Sequence, residues 1–262
     1  MSSGRSSGWH PEMREHRLFC AGPLAPGQTI NLPDTTAQRI RHVLRWPLGQ
    51  VFTLFDGSGY DYTAELVVCN KKITQARTGD RIRQESPPTL SIQLALGILR
   101  GERMDFSLQK AVELGVNTIT PLFTRRTLVQ LQGTQLTRRE AHWQGVIRHA
   151  CEQSGRSLLP AQQPAQPFVS WCKQVDQATT TLLLDPQAKQ HLTQVDRPAH
   201  SVLIAVGPEG GLTSVEREQA VQHGFTPVRL GPRILRAETA PLAALAAIQT
   251  LWGDYRERPE AS

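Results

Sequence analysis

The stretch SVLIAVGPEGGLTSVERE, residues 201–218, decides the fold. An unbroken apolar run ends in Gly207-Pro208-Glu209-Gly210-Gly211, and a helix start follows, because Thr213 and Glu216 stand at the spacing of a capping box. A strand without polar alternation is buried on both faces, the mark of a parallel sheet covered by helices. Gly207, Gly210 and Gly211 remove Cβ atoms, so backbone groups there can come within hydrogen-bonding distance of a ligand. A plain tight turn asks for the same residues, and the motif alone leaves both readings open.

The order repeats on either side. FTPVRL (225–230) runs into LGPRILRAETAPLAAL (230–245), where glycine, proline and two arginines crowd a turn that opens an Ala/Leu helix. TTLLLD (180–185) is a further short apolar strand. Upstream, LSIQLALGIL (90–99) reads as a strand and MDFSLQKAVELG (104–115) as a helix. Its stripe is Phe106, Leu108, Ala111, Val112 and Leu114, closed by Gly115. VNTITPLF (116–123) is a strand, and LTRREAHWQGVIRHACEQSGR (136–156) is a long helix with Trp143, Val146, Ile147 and Ala150 inward. Strands alternating with helices in this way predict an α/β layer with a parallel sheet over residues 85–262. Ligands of such sheets bind beyond the carboxyl ends of the strands, so the two glycine-rich turns should meet.

Residues 13–84 follow another pattern. QVFTLFDGSGYDYTAELVV (50–68) places two β-branched and aromatic runs around Asp56-Gly57-Ser58-Gly59, a hairpin. Before it, TTAQRIRHVLRWPLG (35–49) is a short basic helix stopped by Pro47 and Gly49. RQESPPTL (83–90) is the linker, since paired prolines force an extended backbone. The opening MSSGRSSGWHPE (1–12) has no apolar core of a signal peptide and reads as a disordered extension or a tag.

The chain has 262 residues, 39% of them hydrophobic, enough for a medium domain and a small one. Its net charge of +6 is carried mostly by arginine, since Lys71, Lys72, Lys110, Lys173 and Lys189 are the only lysines. Arginine pairs bidentately with phosphate and stacks on bases, which favours a nucleic-acid partner; a GC-rich genome gives the same bias. Cys20, Cys69, Cys151 and Cys172 show neither a C-x-x-C pair nor histidines at ligand spacing, which argues against a disulfide framework and a metal site and for a reducing cytoplasm. No apolar run approaches the ~20 residues of a membrane span.

Neither glycine turn is a known phosphate cradle, because G-x-G-x-x-G, G-x-x-x-x-G-K-[ST] and G-x-S-x-G are all absent after the strands. That leaves a nucleoside-type ligand held by backbone, such as S-adenosylmethionine. VGPEGGLTSVE (206–216) with LGPRILRAETAPLAAL resembles the signature of the RsmE family of SPOUT methyltransferases, which methylate N3 of a uridine in bacterial 16S rRNA of the small ribosomal subunit. HVLRWPLGQVFTLFDGSG (42–59), QKAVELGVNTITPLFTRR (109–126) and WQGVIRHACEQSGRSLLP (143–160) are similar to other motifs of that family, so the resemblance runs from about Arg17 to Trp252. It implies a PUA-like RNA-binding β-barrel over 13–84, then a SPOUT domain over 85–262 with a C-terminal deep trefoil knot, assembled as a homodimer. The last helix and the region from Glu152 to Arg156 are its expected interface.

By the same resemblance Leu184, Gly207, Pro208, Glu209, Gly210, Gly211, Leu230, Gly231, Ile234, Leu235, Ala237 and Thr239 line the cofactor pocket. Methyl transfer to uridine N3 must remove a proton that water does not readily take at neutral pH, so the site should offer a base, a cation for the imide anion, or both. Glu209 and Glu238 are the candidate carboxylates and Arg236 the candidate cation. Structural alternatives are helix-dipole capping for Glu209 and an ion pair with Glu238 for Arg236. RNA contacts are expected from Arg17, Arg41, Arg45, Arg100, Arg103, Arg125, Arg126, Arg148 and Arg156, each of which can also be a plain surface charge. Competing functions are a non-catalytic RNA-binding or ribosome-assembly protein and a SPOUT enzyme acting on tRNA.

Overall fold

The computed structural model describes residues 16–176 and 179–256. The expectation for residues 1–12 lies outside them. The chain divides into two compact units, one reaching to Pro87 and including Cys151–Leu159, the other made of Pro88–Ala150 and Pro160 onward.

The first unit is a five-stranded sheet in the order β1-β3-β4-β5-β2. Its strands are β1 (Arg17–Phe19), β2 (Thr29–Asn31), β3 (Val51–Phe55), β4 (Tyr60–Cys69) and β5 (Thr74–Gln84), with the short helix α1 (Asp34–Gln38) after β2. The predicted hairpin is present: β3 pairs antiparallel with β4, Phe55 facing Asp61. β4 and β5 pair antiparallel with register shifts after Asp61, Tyr62 and Leu66, and irregularities of this kind bend a strand and increase twist, so the sheet curls. Leu18, Ile40, Phe52, Leu54, Tyr62 and Leu66 fill its concave side. The predicted basic helix continues α1 as a π-helical turn, Arg39–Leu44, and ends where Arg45 takes a left-handed φ of 52°, ahead of Pro47.

The second unit holds β6 (Ser91–Gly97), α2 (Glu102–Glu113), β7 (Thr118–Phe123), α3 (Gly133–Ser154), β8 (Ala161–Gln162), β9 (Gln166–Pro167) and α4 (Phe168–Cys172), then β10 (Thr180–Leu184), β11 (Ser201–Val206), α5 (Ser214–Gln222), β12 (Thr226–Val228) and α6 (Thr239–Leu251). The last four residues of α3 count with the first unit. The sheet order is β12-β10-β11-β6-β7-β8, and every pairing is parallel. Ala95, Leu122, Phe168, Trp171, Leu183, Ala205 and Phe225 form one core cluster, and α2 packs against α6.

One helical stripe differs from its prediction. Met104, Ser107, Leu108, Ala111 and Val112 are the buried face of α2, while Phe106 is 45% exposed. Positions 104, 108, 111 and 112 recur at helical spacing, and 106 lies on the opposite side of that phase. Among the described residues no helix is long and apolar enough to cross a membrane.

Candidate active site

Beyond the carboxyl ends of three adjacent strands, β12, β10 and β11, lies a cavity of about 260 Å³. Three chain segments supply most of its wall, namely Leu184–Pro186 at the end of β10, Val206–Leu212 without Gly210 at the end of β11, and the loop from Val228 to Ala240, and Arg126 and Arg217 complete it. The two glycine-rich turns therefore meet, as the parallel-sheet rule requires.

The first turn is held from below and from the side. Gly97 ends β6 directly beneath it; a Cβ at that position would sit 2.5 Å from Pro208 N and 2.6 Å from Pro208 Cδ, so only glycine lets the two backbones approach this closely. Glu216, 1% exposed, caps α5 as predicted: its Oε2 accepts from Thr213 N at 2.9 Å and Thr213 Oγ1 at 2.8 Å. Its Oε1 accepts from Arg125 N at 2.7 Å, which stitches the loop after β7 to the same place. Arg126 Nη1 then donates to Gly210 O at 2.8 Å. A buried carboxylate with its oxygens satisfied is a rigid anchor, and both loops hang from it.

Charge gathers on one side of the pocket. Glu209 Oε1 accepts from Arg100 N at 2.9 Å and lies 3.6 Å from Arg103 Nη1. Arg103 Nε is 3.9 Å from Glu238 Oε1, and Arg236 Nη1 is 4.0 Å from the same oxygen. The second oxygens of Glu209 and Glu238 are both buried with no hydrogen-bond partner among the described residues.

Most of the sequence-predicted pocket residues come together. Leu184, Gly207, Pro208, Glu209 and Gly211 line the cavity, as do Leu230, Gly231, Ile234, Leu235 and Ala237. Gly210 and Thr239 do not; a Cβ on Gly210 would meet Arg126 Cβ at 3.0 Å, so its close neighbour is that side chain. Arg126, Asp185, Arg233 and Ala240 line the cavity without having been expected as pocket residues. Asp185 was legible, since it follows Leu184 at a strand end. Arg236 is exposed and outside the lining.

The arginines divide. Arg45, Arg100 and Arg125 are exposed, Arg148 is half-buried, and Arg41 donates to Asn70 O at 2.7 Å. Arg17 is a correction: it is 8% exposed, pairs with the buried Asp61, donates to Arg156 O and Ser157 Oγ, and lies 4.8 Å over the Phe55 ring. It points into the sheet because all of β1 is buried, so it cannot reach RNA. Arg156 likewise turns inward, its Nε 3.8 Å from Glu85 Oε1 and its side chain 13% exposed. In the segment from Glu152 to Arg156, expected at a subunit interface, Glu152 accepts from Phe19 N at 2.9 Å and from Arg39 Nη1 at 2.5 Å.

Residues 85–249 match the RNA methyltransferase domain family. The chain is 32% identical to the ribosomal RNA small subunit methyltransferase E of Buchnera aphidicola subsp. Schizaphis graminum, over 91% of this chain and 97% of that protein. A crystal structure of a ribosomal RNA small subunit methyltransferase E from Neisseria gonorrhoeae bound to S-adenosyl methionine superposes with a TM-score of 0.85 at 39% identity, covering 92% of this chain and 99% of that one. A putative methyltransferase from Legionella pneumophila in complex with the bound cofactor SAM superposes with a TM-score of 0.87 at 33% identity, covering 91% and 98%.

Proposed function

The chain belongs to the ribosomal RNA small subunit methyltransferase E family, and from that premise we propose that it transfers a methyl group from S-adenosylmethionine to N3 of one uridine in bacterial 16S rRNA. The observation that carries the reading is the convergence of two glycine-rich loops, from strands on either side of β10, on one cavity of about 260 Å³. Such a pocket offers backbone donors and acceptors to a nucleoside and carboxylate oxygens to a cation. S-adenosylmethionine is both, and when bound it supplies an activated methyl group. Leu184, Gly207, Gly211, Leu230, Leu235 and Ala237 are the residues that would hold it.

Several finer assignments belong to the same proposal. The curled five-stranded sheet is the RNA-binding, PUA-like barrel, and the loop from Val228 to Ala240 is part of a C-terminal trefoil knot; the full-length superposition on relatives supports both. The protein works as a homodimer in the cytoplasm, where small ribosomal subunits are found. Support for a dimer comes from Ile234, apolar and 87% exposed beside the pocket, and from half-exposed Leu242, Ala243, Ala246 and Ala247 on α6. Arg41, Arg45, Arg100, Arg125, Arg126 and Arg148 serve the RNA backbone, and Glu209, Glu238 and Arg236 are the candidates for proton removal and charge stabilisation. The target base must leave any stacked or paired state to reach the methyl group.

The test is to incubate the protein with labelled S-adenosylmethionine and small ribosomal subunits from a methylation-deficient strain, then identify the labelled nucleoside. N3-methyluridine is expected. Label in a ribose methyl group, in tRNA alone, or in no RNA at all would overturn the reading.

A further inference from the structure

Arg103 stands among the sequence-predicted RNA contacts, but its guanidinium lies elsewhere. It reaches from the first turn of α2 to two carboxylates on two different loops, 3.6 Å from Glu209 Oε1 and 3.9 Å from Glu238 Oε1. Gly101, at φ 52° and ψ −132°, turns the chain just before the helix. Arg100 N and the Arg103 side chain both end at the Glu209 carboxylate. Each carboxylate is thus tied by one oxygen, while the other is buried and has no partner among the described residues. A buried acceptor that no protein donor satisfies costs about 1–3 kcal/mol, and this site keeps two of them around one guanidinium.

We propose that Arg103 is a positioning residue for proton removal, holding Glu209 against the cofactor pocket and Glu238 beside it, with Glu238 taking the proton from the acceptor base. This rests on the methyltransferase reading of the same site. The two carboxylates have different tasks because they have different surroundings. Glu209 lines the cavity, so its negative charge lies beside the place a positively charged methyl donor would take. Glu238 is outside the lining but follows Ala237, which is in it, and its side chain is 15% exposed, so its carboxylate stands at the edge of the pocket. As the bond from N3 to the methyl carbon forms, the donor's sulfur–carbon bond breaks and its sulfonium becomes a neutral thioether. The N3 proton passes to the Glu238 carboxylate, whose side chain is 15% exposed, and from there to solvent. Arg103 keeps Glu238 fixed for this step. Arg236, 79% exposed and 4.0 Å from Glu238, is the weaker of its two cationic neighbours.

The charged groups facing the pair are Arg103 on α2, Arg236 on the loop before α6, and the two glutamates themselves; Arg126, from the loop after β7, is turned to Gly210 O. Removing the guanidinium therefore takes away the cation that spans both loops and leaves the Glu238 side chain free to move.

The experiment measures S-adenosylmethionine affinity by calorimetry, and kcat and KM on small ribosomal subunits, for the full chain and four variants. Wild type comes first: absence of N3-methyluridine sinks the underlying reading, whatever the variants do. Given that product, Arg103→Ala should keep cofactor affinity within about threefold and lose about 10²–10³ in kcat. Arg103→Lys should recover part of that loss, because the charge remains while the two-way reach is lost. Glu238→Gln should lose kcat at least as heavily, again with cofactor affinity kept. Arg100→Ala removes an equal charge from the same turn but keeps the backbone N–H, so it should raise KM more than it lowers kcat. An unchanged kcat in Arg103→Ala or Glu238→Gln, or a kcat loss matched by an equal loss of cofactor affinity, overturns the proposal. So does the same kcat loss in Arg100→Ala.

Discussion

In the first unit Arg17, Arg39, Arg83 and Arg156 each face a carboxylate of that unit, namely Asp61, Glu152, Asp61 and Glu85. In the second, Arg100, Arg125 and Arg236 are exposed around the pocket, and Arg103 bridges two glutamates beside it. One residue type, indistinguishable by composition, cross-links a small curled sheet in one place and surrounds a ligand site in the other. The small sheet has limited apolar volume, and Asp61, 2% exposed, is engaged by Arg17 and by Ser157 Oγ at 2.6 Å. The larger unit leaves Arg100, Arg125 and Arg236 exposed.

The largest effect is expected from cutting the inner network. Arg17→Met leaves Asp61 buried without its main partner, and breaking a buried pair from one side costs about 3–5 kcal/mol. Urea unfolding should show that loss, and the double variant Arg17→Met/Asp61→Leu should regain most of it because no lone charge is left. If Arg17→Met unfolds like wild type but binds rRNA more weakly, the contrast between the units fails.

A smaller effect tests the pocket side. Gly97→Ala drives a methyl group against backbone, Pro208 N at 2.5 Å, and overpacking of that kind costs about 1–3 kcal/mol. If the strain falls on the Gly207-Pro208 turn, calorimetry should report S-adenosylmethionine binding weakened between about fivefold and a hundredfold. Gly210→Ala meets Arg126 Cβ at 3.0 Å and Arg126 O at 3.5 Å, a milder clash than that at Gly97, which a shift of a few tenths of an ångström relieves, and should change affinity less. Equal losses for the two variants would mean that the turn is not held from β6.

These residues also mark how far the sequence could be read. The parallel strands, the hairpin, the capping box and the meeting of the two turns all follow from local pattern, and all are present. What escaped depends on contacts between distant parts of the chain. Arg17 looks like a surface charge in a three-residue strand until β3 and the Cys151–Leu159 segment close around it. Gly97 looks like the end of an apolar run until Pro208 is seen above it. Arg236 stands out in sequence because it neighbours Glu238, whereas Arg103 reaches the same glutamate only through the fold. Phe106 invites a place on the buried face of α2 by its aromatic size, but helical phase decides the matter and turns it outward.

The smallest effect uses one buried thiol in each unit. Burial pushes Cys151 and Cys172 from the ordinary value near 9 up to about 12. A folded-state value raised above the unfolded one means stability that is fully present below about pH 9 and lost as pH rises towards 12, because the unfolded chain releases its proton first. Between pH 9 and pH 10 each thiol should therefore cost its unit roughly 1 kcal/mol, one pKa unit being worth about 1.4 kcal/mol. Tyrosine and lysine titrate nearby, so the readout is the difference in slope between wild type and Cys151→Ala or Cys172→Ala, each followed by labelling of the remaining buried thiols, Cys20 among them. Burial is the largest cause of both shifts, and around Cys151 the lowering by Arg156 and Arg17 is opposed by Glu85 and Glu152, so the two units should respond alike. A flat difference for Cys151 beside a normal one for Cys172 would show that the arginine network around Cys151, Arg156 and Arg17 above all, stabilises its thiolate enough to cancel burial. The contrast between the two units would then reach even the buried thiols they have in common.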